Sequence, residues 1–129
     1  MQTKMKKDRH LGIWMDHSNA FLMELIDDKI ITNSLLSEAA KPEKNFNPFK
    51  GEKLINKKEQ HLQSGYYKKL SESIRGFQEV VLFGPTDAKN ELLNLLKSDH
   101  LFDNIRIETL HSDKMTENQM HTFVREYFK

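Results

Sequence analysis

Apolar residues in the first third of the chain come in short runs separated by polar turns, which predicts three β-strands. The runs cover residues 11–15 (LGIWM), 20–26 (AFLMELI) and 30–36 (IITNSLL). Between them lie residues 16–19 (DHSN) and 27–29 (DDK), whose short polar side chains favour turns because they bond to nearby backbone. Connectors this short predict an antiparallel three-stranded meander.

The second half of the chain alternates between helical and strand patterns. Apolar residues recur at every fourth position from about 55 to 75, residues 80–83 (VVLF) form an unbroken apolar run, and residues 86–96 are amphipathic. Gly84 and Pro85 join that run to the helix after it. Proline is tolerated just inside a helix start because its missing N–H would have no partner there, so the pattern predicts a helix that begins at once.

A last strand and a well-marked helix close the chain. Residues 105–110 (IRIETL) alternate like a strand with one buried face. Thr116 and Gln119 form a T-x-x-Q capping box, and Met115 and Met120 stand where a hydrophobic staple would join. The apolar stripe of this predicted helix is Met120, Phe123, Val124, Tyr127 and Phe128.

These elements predict an α/β fold with the order βββαβαβα. Because strand–helix–strand crossovers are right-handed, the fourth and fifth strands lie parallel beside the first, in a five-stranded mixed sheet of order 3-2-1-4-5 with helices on both faces. This is a ribonuclease-H-like arrangement. We expect a single such domain over residues 10–129, a flexible tail at 1–9 and a long loop at about 37–54.

The predicted topology brings the carboxyl ends of strands one, four and five to one edge of the sheet. Ligand clefts in open sheets form at such an edge, where connections diverge. The residues expected to gather there form a candidate edge site: Asp16, His17, Gly84, Thr86, Asp87, Lys89, His111 and Asp113. A cation near a helix start opposes the macrodipole, so we expect Lys89 to pair with Asp16, Asp87 or Asp113.

Composition excludes several classes of protein. The 129 residues include 20 basic and 19 acidic ones, so the chain lacks the global positive field of a dedicated nucleic-acid binder and any such role must be local. The chain has no cysteine, which excludes disulfides, thiolate metal sites and cysteine nucleophiles and fits a reducing cytoplasm. It has no long apolar run, so we expect a soluble, cytoplasmic protein without a membrane partner.

Lysines concentrate in the long loop and just after it, with two aromatic residues among them. The candidate RNA-contact residues are Lys44, Phe46, Phe49, Lys50, Lys53, Lys57 and Lys58. Lysines suit phosphate contacts, and phenylalanines suit stacking on a base. The alternative is a solvated loop whose phenylalanines lie on the sheet, since three glutamates dilute the charge.

Three segments carry a resemblance to a known family. The strand–turn–helix VVLFGPTDAKNEL resembles that of the middle domain of the archaeo-eukaryotic class-one release factors and their paralogue pelota. The hairpin GIWMDHSNAFLMEL is similar to the opening of that domain, and DKMTENQMHTFVREYF resembles the ending of small bacterial members of the superfamily. The resemblance spans residues 11–128. It implies the same sheet, and a role in translation with the ribosome, ribosomal RNA or tRNA as partner.

One departure from that family bears on catalysis. In release factors the loop after the third strand carries Gly-Gly-Gln, which promotes ester hydrolysis, whereas the matching loop here has a single glycine, Gly51, followed by Glu52. We therefore assign no catalytic residue and expect no metal and no cofactor. The first hypothesis is a non-catalytic, translation-associated binding protein that uses the loop and the candidate edge site.

Two other hypotheses remain open. A metal-dependent nuclease or phosphohydrolase of ribonuclease-H type would need several carboxylates around two metal ions, and Asp16 is placed for one of them. The rest of that carboxylate set is incomplete. The third hypothesis is a protein-interaction module or a homodimer.

Overall fold

The computed structural model of the chain describes residues 9–37 and 65–129. Five strands form one mixed sheet: β1 His10–Met15, β2 Asn19–Ile26, β3 Lys29–Leu36, β4 Glu79–Gly84 and β5 Arg106–His111. The sheet order is β3-β2-β1-β4-β5. β1 runs antiparallel to β2 and parallel to β4, and β4 runs parallel to β5. The predicted strands and their order 3-2-1-4-5 are confirmed.

Helices cover both faces of the sheet. Their described bounds are residues 65–74 for α1, Ala88–Lys97 for α2 and Glu117–Tyr127 for α3, with a short 3-10 helix at His100–Phe102. The predicted first helix began near residue 55, and its residues before 65 lie outside the described part of the chain. None of the described helices is long and apolar enough to cross a membrane.

Successive side chains of β1 point to opposite faces of the sheet and pack into two separate hydrophobic cores. Ile13 and Met15 join Leu70 of α1 and Leu92 of α2 on one face, whereas Trp14 points to the opposite face, beneath α3. Every one of these side chains is at most 5% exposed. The two-sided burial explains why β1 reads as an unbroken apolar run, as central strands do.

The start of α3 follows its sequence signal. The Thr116 hydroxyl accepts from the Gln119 amide, and the Gln119 side chain accepts from the Thr116 amide, so the predicted capping box is formed. Met115 and Met120 lie in the same apolar cluster as Val124. The capping box stabilises the start of α3, and the apolar stripe packs the helix on the sheet.

Gly12 lets α3 approach β1 closely. A Cβ added at Gly12 would stand 2.4 Å from Cγ2 of Val124, a side chain that is itself fully buried. Since carbon atoms in van der Waals contact lie near 3.5–4.0 Å, a side chain at position 12 fits only if the Val124 side chain or α3 shifts.

The joint between β4 and α2 is longer than predicted. α2 begins at Ala88, with Asp87 at the N-cap position, so Pro85 lies in the turn rather than inside the helix start. The Asp87 side chain makes no capping bond. Instead the Thr86 hydroxyl accepts from the Ala88 amide at 3.2 Å, which satisfies one of the free amides at the start of α2.

Candidate functional site at the sheet edge

Gly84 brings the ends of β1 and β4 together. Its φ is +153°, and a Cβ at this position would stand 2.1 Å from the carbonyl oxygen of Met15. The chain leaving β5 is fastened to the same point, because the Ser112 amide donates to the Gly84 carbonyl at 3.1 Å. The carboxyl ends of β1, β4 and β5 therefore share one edge.

Asp16 organises the turn that follows β1. Its Oδ1 accepts hydrogen bonds from the backbone amides of Ser18 at 2.8 Å and Asn19 at 2.7 Å. Its own amide donates to the Asn19 carbonyl at 2.9 Å. This is the local bonding that makes aspartate a turn residue, so one oxygen of the carboxylate is already engaged by its own backbone.

Tyr66 ties α1 to that turn. Its ring is only 2% exposed, and its hydroxyl donates to the Asp16 carbonyl at 3.0 Å. Burial, followed by the charge of Asp16 and the neighbouring Tyr67, raises the pKa of Tyr66 well above its ordinary value. The hydroxyl therefore stays protonated and keeps donating across the physiological pH range.

His17, Glu91 and Tyr67 form a cluster beside the turn. The Nε2 atom of His17 lies 3.2 Å from Oε1 of Glu91, and the Tyr67 hydroxyl donates to the same oxygen at 2.5 Å. The side chains of His17 and Glu91 are 43% and 50% exposed. The cluster joins the β1–β2 turn, α1 and α2 through one carboxylate that remains open to solvent.

Lys89 does not join that cluster. The side chain is buried, and its Nζ donates to the Thr86 carbonyl at 2.6 Å. Within the described residues it forms no ion pair with Asp16, Asp87 or Asp113, so the predicted pairing of Lys89 with an aspartate is wrong. The Thr86 carbonyl lies just before the helix start, where a lysine folding back along α2 reaches it first.

His111 and Asp113 lie on the far side of Gly84. The Nε2 atom of His111 is 3.8 Å from Oδ1 of Asp113, and the two side chains are 70% and 99% exposed. In the part of the chain that the structure describes, no hydrogen bond or ion pair links them to His17 or Lys89. Among the described residues, the members of the candidate edge site are thus not joined into one hydrogen-bonded network.

The candidate RNA-contact residues Lys44, Phe46, Phe49, Lys50, Lys53, Lys57 and Lys58 lie outside the described residues. Described residues on either side of them are bonded to the β1–β2 turn. The Ser37 amide donates to the Ser18 carbonyl at 2.8 Å, and the Tyr66 hydroxyl donates to the Asp16 carbonyl.

Comparison with known proteins identifies the fold. No protein-family model matches this chain, and no curated protein matches it by sequence. Among solved structures, Archaeoglobus fulgidus Pelota matches with a TM-score of 0.60 and 10% identity, over 94% of this chain and 32% of that one. Pelota from Thermoplasma acidophilum matches with a TM-score of 0.61 and 10% identity, over 91% of this chain and 32% of that one. This chain has a Pelota-like fold.

A third structure extends the comparison. An archaeal translation termination factor matches with a TM-score of 0.50 and 13% identity, over 93% of this chain and 39% of that one. The chain thus spans only about a third of the length of the proteins it resembles. The predicted resemblance to the release-factor and pelota domain is confirmed for the fold.

The described residues at the sheet edge offer hydrogen-bonding groups and do not include a cluster that could hold a metal ion. Among residues 9–37 and 65–129, no three histidine or carboxylate side chains lie close enough to share an ion. The nuclease hypothesis therefore gains no support from the described residues. Two cavities lined by described residues also lie elsewhere, one of about 600 Å³ between α1 and the 3-10 helix and one of about 510 Å³ at the amino ends of β4 and β5.

Sequence reasoning missed Tyr67 and Glu91. Glu91 lies in the first turn of α2, where the helix dipole stabilises a carboxylate. The helix dipole alone explains a glutamate there, so the sequence offered no reason to expect a side-chain partner. Tyr67 follows Tyr66, which fits the apolar stripe of α1, and the hydroxyl of a second buried tyrosine is the signal that could have revealed the pair. A buried tyrosine needs a hydrogen-bond partner for its hydroxyl.

Glu91 predicts an acid-dependent loss of stability. The Tyr67 hydrogen bond lowers the pKa of Glu91, and the bond to His17 and its charge lower it further against the opposing effect of partial burial. A carboxylate with a lowered pKa stabilises the fold above its ordinary pKa, and this contribution disappears as the pH falls through the folded-state value. Glu91→Gln should therefore flatten the fall in unfolding free energy between about pH 5 and pH 3.

Denaturant unfolding at a series of pH values measures that change. Tyr67→Phe should flatten the same acid limb, while Glu72→Gln, on the exposed side of α1, should leave it as steep as in the parent protein. An acid limb that keeps its slope in Glu91→Gln would contradict the assigned cluster.

Proposed function

We propose that this protein is a non-catalytic, translation-associated factor that contacts ribosomal RNA or tRNA. In this proposal the lysine-rich 38–64 segment and the candidate edge site form one contact surface. The Pelota-like fold supports the translational context, since Pelota and an archaeal translation termination factor share the architecture at 10–13% identity. The partner is inferred from that shared architecture together with the charge of the segment.

The observation that carries the proposal is where the 38–64 segment begins and ends. Ser37, just before the segment, is bonded to Ser18, and Tyr66, just after it, is bonded to Asp16, so residues on both sides of the segment contact the β1–β2 turn. The segment between contains six lysines and four glutamates. A net positive segment whose flanking residues are bonded to the β1–β2 turn suits an RNA backbone, where each neutralised phosphate releases counterions and strengthens binding.

The sequence of the segment favours binding over hydrolysis. Gly51 is followed by Glu52, so the segment lacks the Gly-Gly-Gln motif whose glutamine promotes ester cleavage in release factors. The described edge holds the His17, Glu91 and Tyr67 cluster, which is bonded internally. A factor of this kind would occupy a site on the ribosome without releasing the peptide.

Charge reversal in the segment tests the proposal. Replacing Lys50, Lys53, Lys57 and Lys58 with glutamate should weaken co-sedimentation with ribosomes about tenfold or more at physiological salt. The slope of log affinity against log salt should also become shallower by about 3, because up to four phosphate contacts are lost. Quantitative pelleting over a salt series measures both.

The control variant reverses four exposed basic residues away from the candidate edge site: Lys68, Arg75, Lys97 and Lys129. It carries the same change in net charge and should retain most of the binding. Equal weakening in the two variants would mean that binding depends on the net charge of the protein and not on the lysines of the segment. No binding by the parent protein would remove the proposed function.

A further inference from the structure

β3 is an edge strand of the sheet, and within the described residues it carries little of the usual protection against pairing. Of its eight residues only Lys29 is charged, and the strand contains no proline. Ile31 and Leu36 are 52% and 44% exposed. The opposite edge, β5, carries Arg106, Glu108 and His111, as protected edges do. Among the described residues, no strand pairs with the outer side of β3.

The register of the hairpin fixes which backbone groups of β3 face outward. Ile26 lies opposite Lys29 across the two-residue turn, and at the other end the Ser37 amide donates to the Ser18 carbonyl. Hydrogen-bonded pairs alternate along an antiparallel ladder, so the odd-numbered residues from 29 to 37 bond inward to β2. The amides and carbonyls of the even-numbered residues 30, 32, 34 and 36 point away from the sheet.

We propose that β3 pairs with β3 of a second copy of this chain, antiparallel, about a two-fold axis at Asn33. This register uses all four outward residues, because residue 30 meets residue 36 of the partner and residue 32 meets residue 34. Each such pair exchanges two backbone hydrogen bonds, which gives eight in total. The two five-stranded sheets become one sheet of ten strands.

The side chains of β3 complement themselves in this register. On the α3 face Ile30 lies opposite Leu36 of the partner subunit, and Thr32 lies opposite Ser34. On the other face Ile31 lies opposite Leu35 of the partner subunit. Apolar residues thus meet apolar residues, and hydroxyl side chains meet each other, which are the favourable cross-strand pairs in sheets.

Charge favours the same occupant. Lys29, the only charged residue of β3, lies opposite Ser37 of the partner subunit, so no like charges face each other. The two most exposed apolar side chains of the strand, Ile31 and Leu36, are both covered. A two-fold axis makes the surface of one copy its own complement, which is how most homodimers are built.

A single cysteine at the axis tests the register. The chain has no cysteine of its own. Asn33 faces Asn33 of the partner subunit at a non-hydrogen-bonded position, where Cα atoms lie about 4.5 Å apart and a disulfide fits. Asn33→Cys should therefore form a covalent dimer in most chains under mild oxidation. Leu101→Cys, at a 61% exposed position of the 3-10 helix, should stay largely monomeric on a denaturing gel.

Sedimentation equilibrium tests the surface without a crosslink. Ile31→Lys should raise the dissociation constant of the dimer about tenfold or more, because a lysine replaces a packed isoleucine in each copy. The matched variant Leu101→Lys should leave it unchanged. Far-ultraviolet circular dichroism and thermal unfolding of both variants confirm that each is folded.

Backbone hydrogen exchange provides a readout that a merely folded variant would not alter. In the dimer the amides of residues 30, 32, 34 and 36 should exchange slowly, and in Ile31→Lys at low concentration they should exchange at least about tenfold faster. Three results would overturn the proposal: a monomer at high micromolar concentration, a dimer insensitive to Ile31→Lys, or a dimer that Asn33→Cys fails to crosslink.

Discussion

Replacing Gly84 with alanine is expected to lower the free energy of unfolding by about 3 kcal/mol. The new Cβ would stand 2.1 Å from the Met15 carbonyl oxygen. Because that oxygen belongs to the backbone of the sheet, it cannot move aside by a side-chain rotation. The φ of +153° adds strain for any L side chain. Because β1 and β4 are the two central parallel strands at this point, separating them also loosens the candidate edge site.

Gly65→Ala is the matched control for Gly84→Ala. Gly65 lies in α1, and a Cβ there would meet nothing within 4 Å. Alanine is a better helix former than glycine by about 0.5–1 kcal/mol, so this substitution should stabilise the protein slightly. Denaturant unfolding followed by circular dichroism measures both variants. Equal stability of Gly84→Ala and the parent would mean that β1 and β4 do not approach each other as described.

Gly12 and Val124 are expected to be energetically coupled. Gly12→Ala should cost about 2 kcal/mol, because its Cβ would stand 2.4 Å from Val124 Cγ2. Val124→Ala alone should also cost about 2 kcal/mol, since it leaves a cavity under α3. In the double variant the added methyl group enters the space that the valine vacates. The combined loss should fall short of the sum by about 1 kcal/mol or more.

A double-mutant cycle from denaturant unfolding measures this coupling. The control pair combines Gly12→Ala with Leu92→Ala, which is buried on the opposite face of the sheet. Because the sheet separates those two sites, their losses should add within about 0.5 kcal/mol. Strict additivity of Gly12→Ala and Val124→Ala would place α3 farther from β1.

The fold was predictable because each element carries its own period. β1 is an apolar run buried on both faces, β5 alternates, and α3 begins with a capping box. Each strand begins and ends within one residue of its predicted bounds. Handedness then left few ways to connect parallel strands, so local signals sufficed to predict the sheet order.

The helix after β4 was less predictable, because two signals competed there. Pro85 suits the first position of a helix, which favoured an immediate start. Gly84 needs a positive φ beside Met15, however, and the chain uses Pro85 and Thr86 to turn away from that contact before α2 begins. Close approach between strands that are distant in sequence is invisible to a local pattern.

The positions of residues at the sheet edge were predictable from the sequence, but their hydrogen bonds were not. Topology alone put Asp16, His17 and Lys89 near the ends of parallel strands. Which groups then bond depends on side-chain direction: His17 reaches Glu91, whereas Lys89 folds back to Thr86. Those choices follow from distances of a few ångströms between elements, which the spacing of residues along the chain does not encode.

The hydrogen bond from Tyr66 to the end of β1 has a consequence for how such folds diversify. Its acceptor is the carbonyl oxygen of Asp16, a backbone atom that every amino acid supplies. The bond therefore constrains the path of the chain at position 16 and not the identity of the side chain there. Related chains can exchange the group presented at this point while α1 stays bonded to the turn after the same strand.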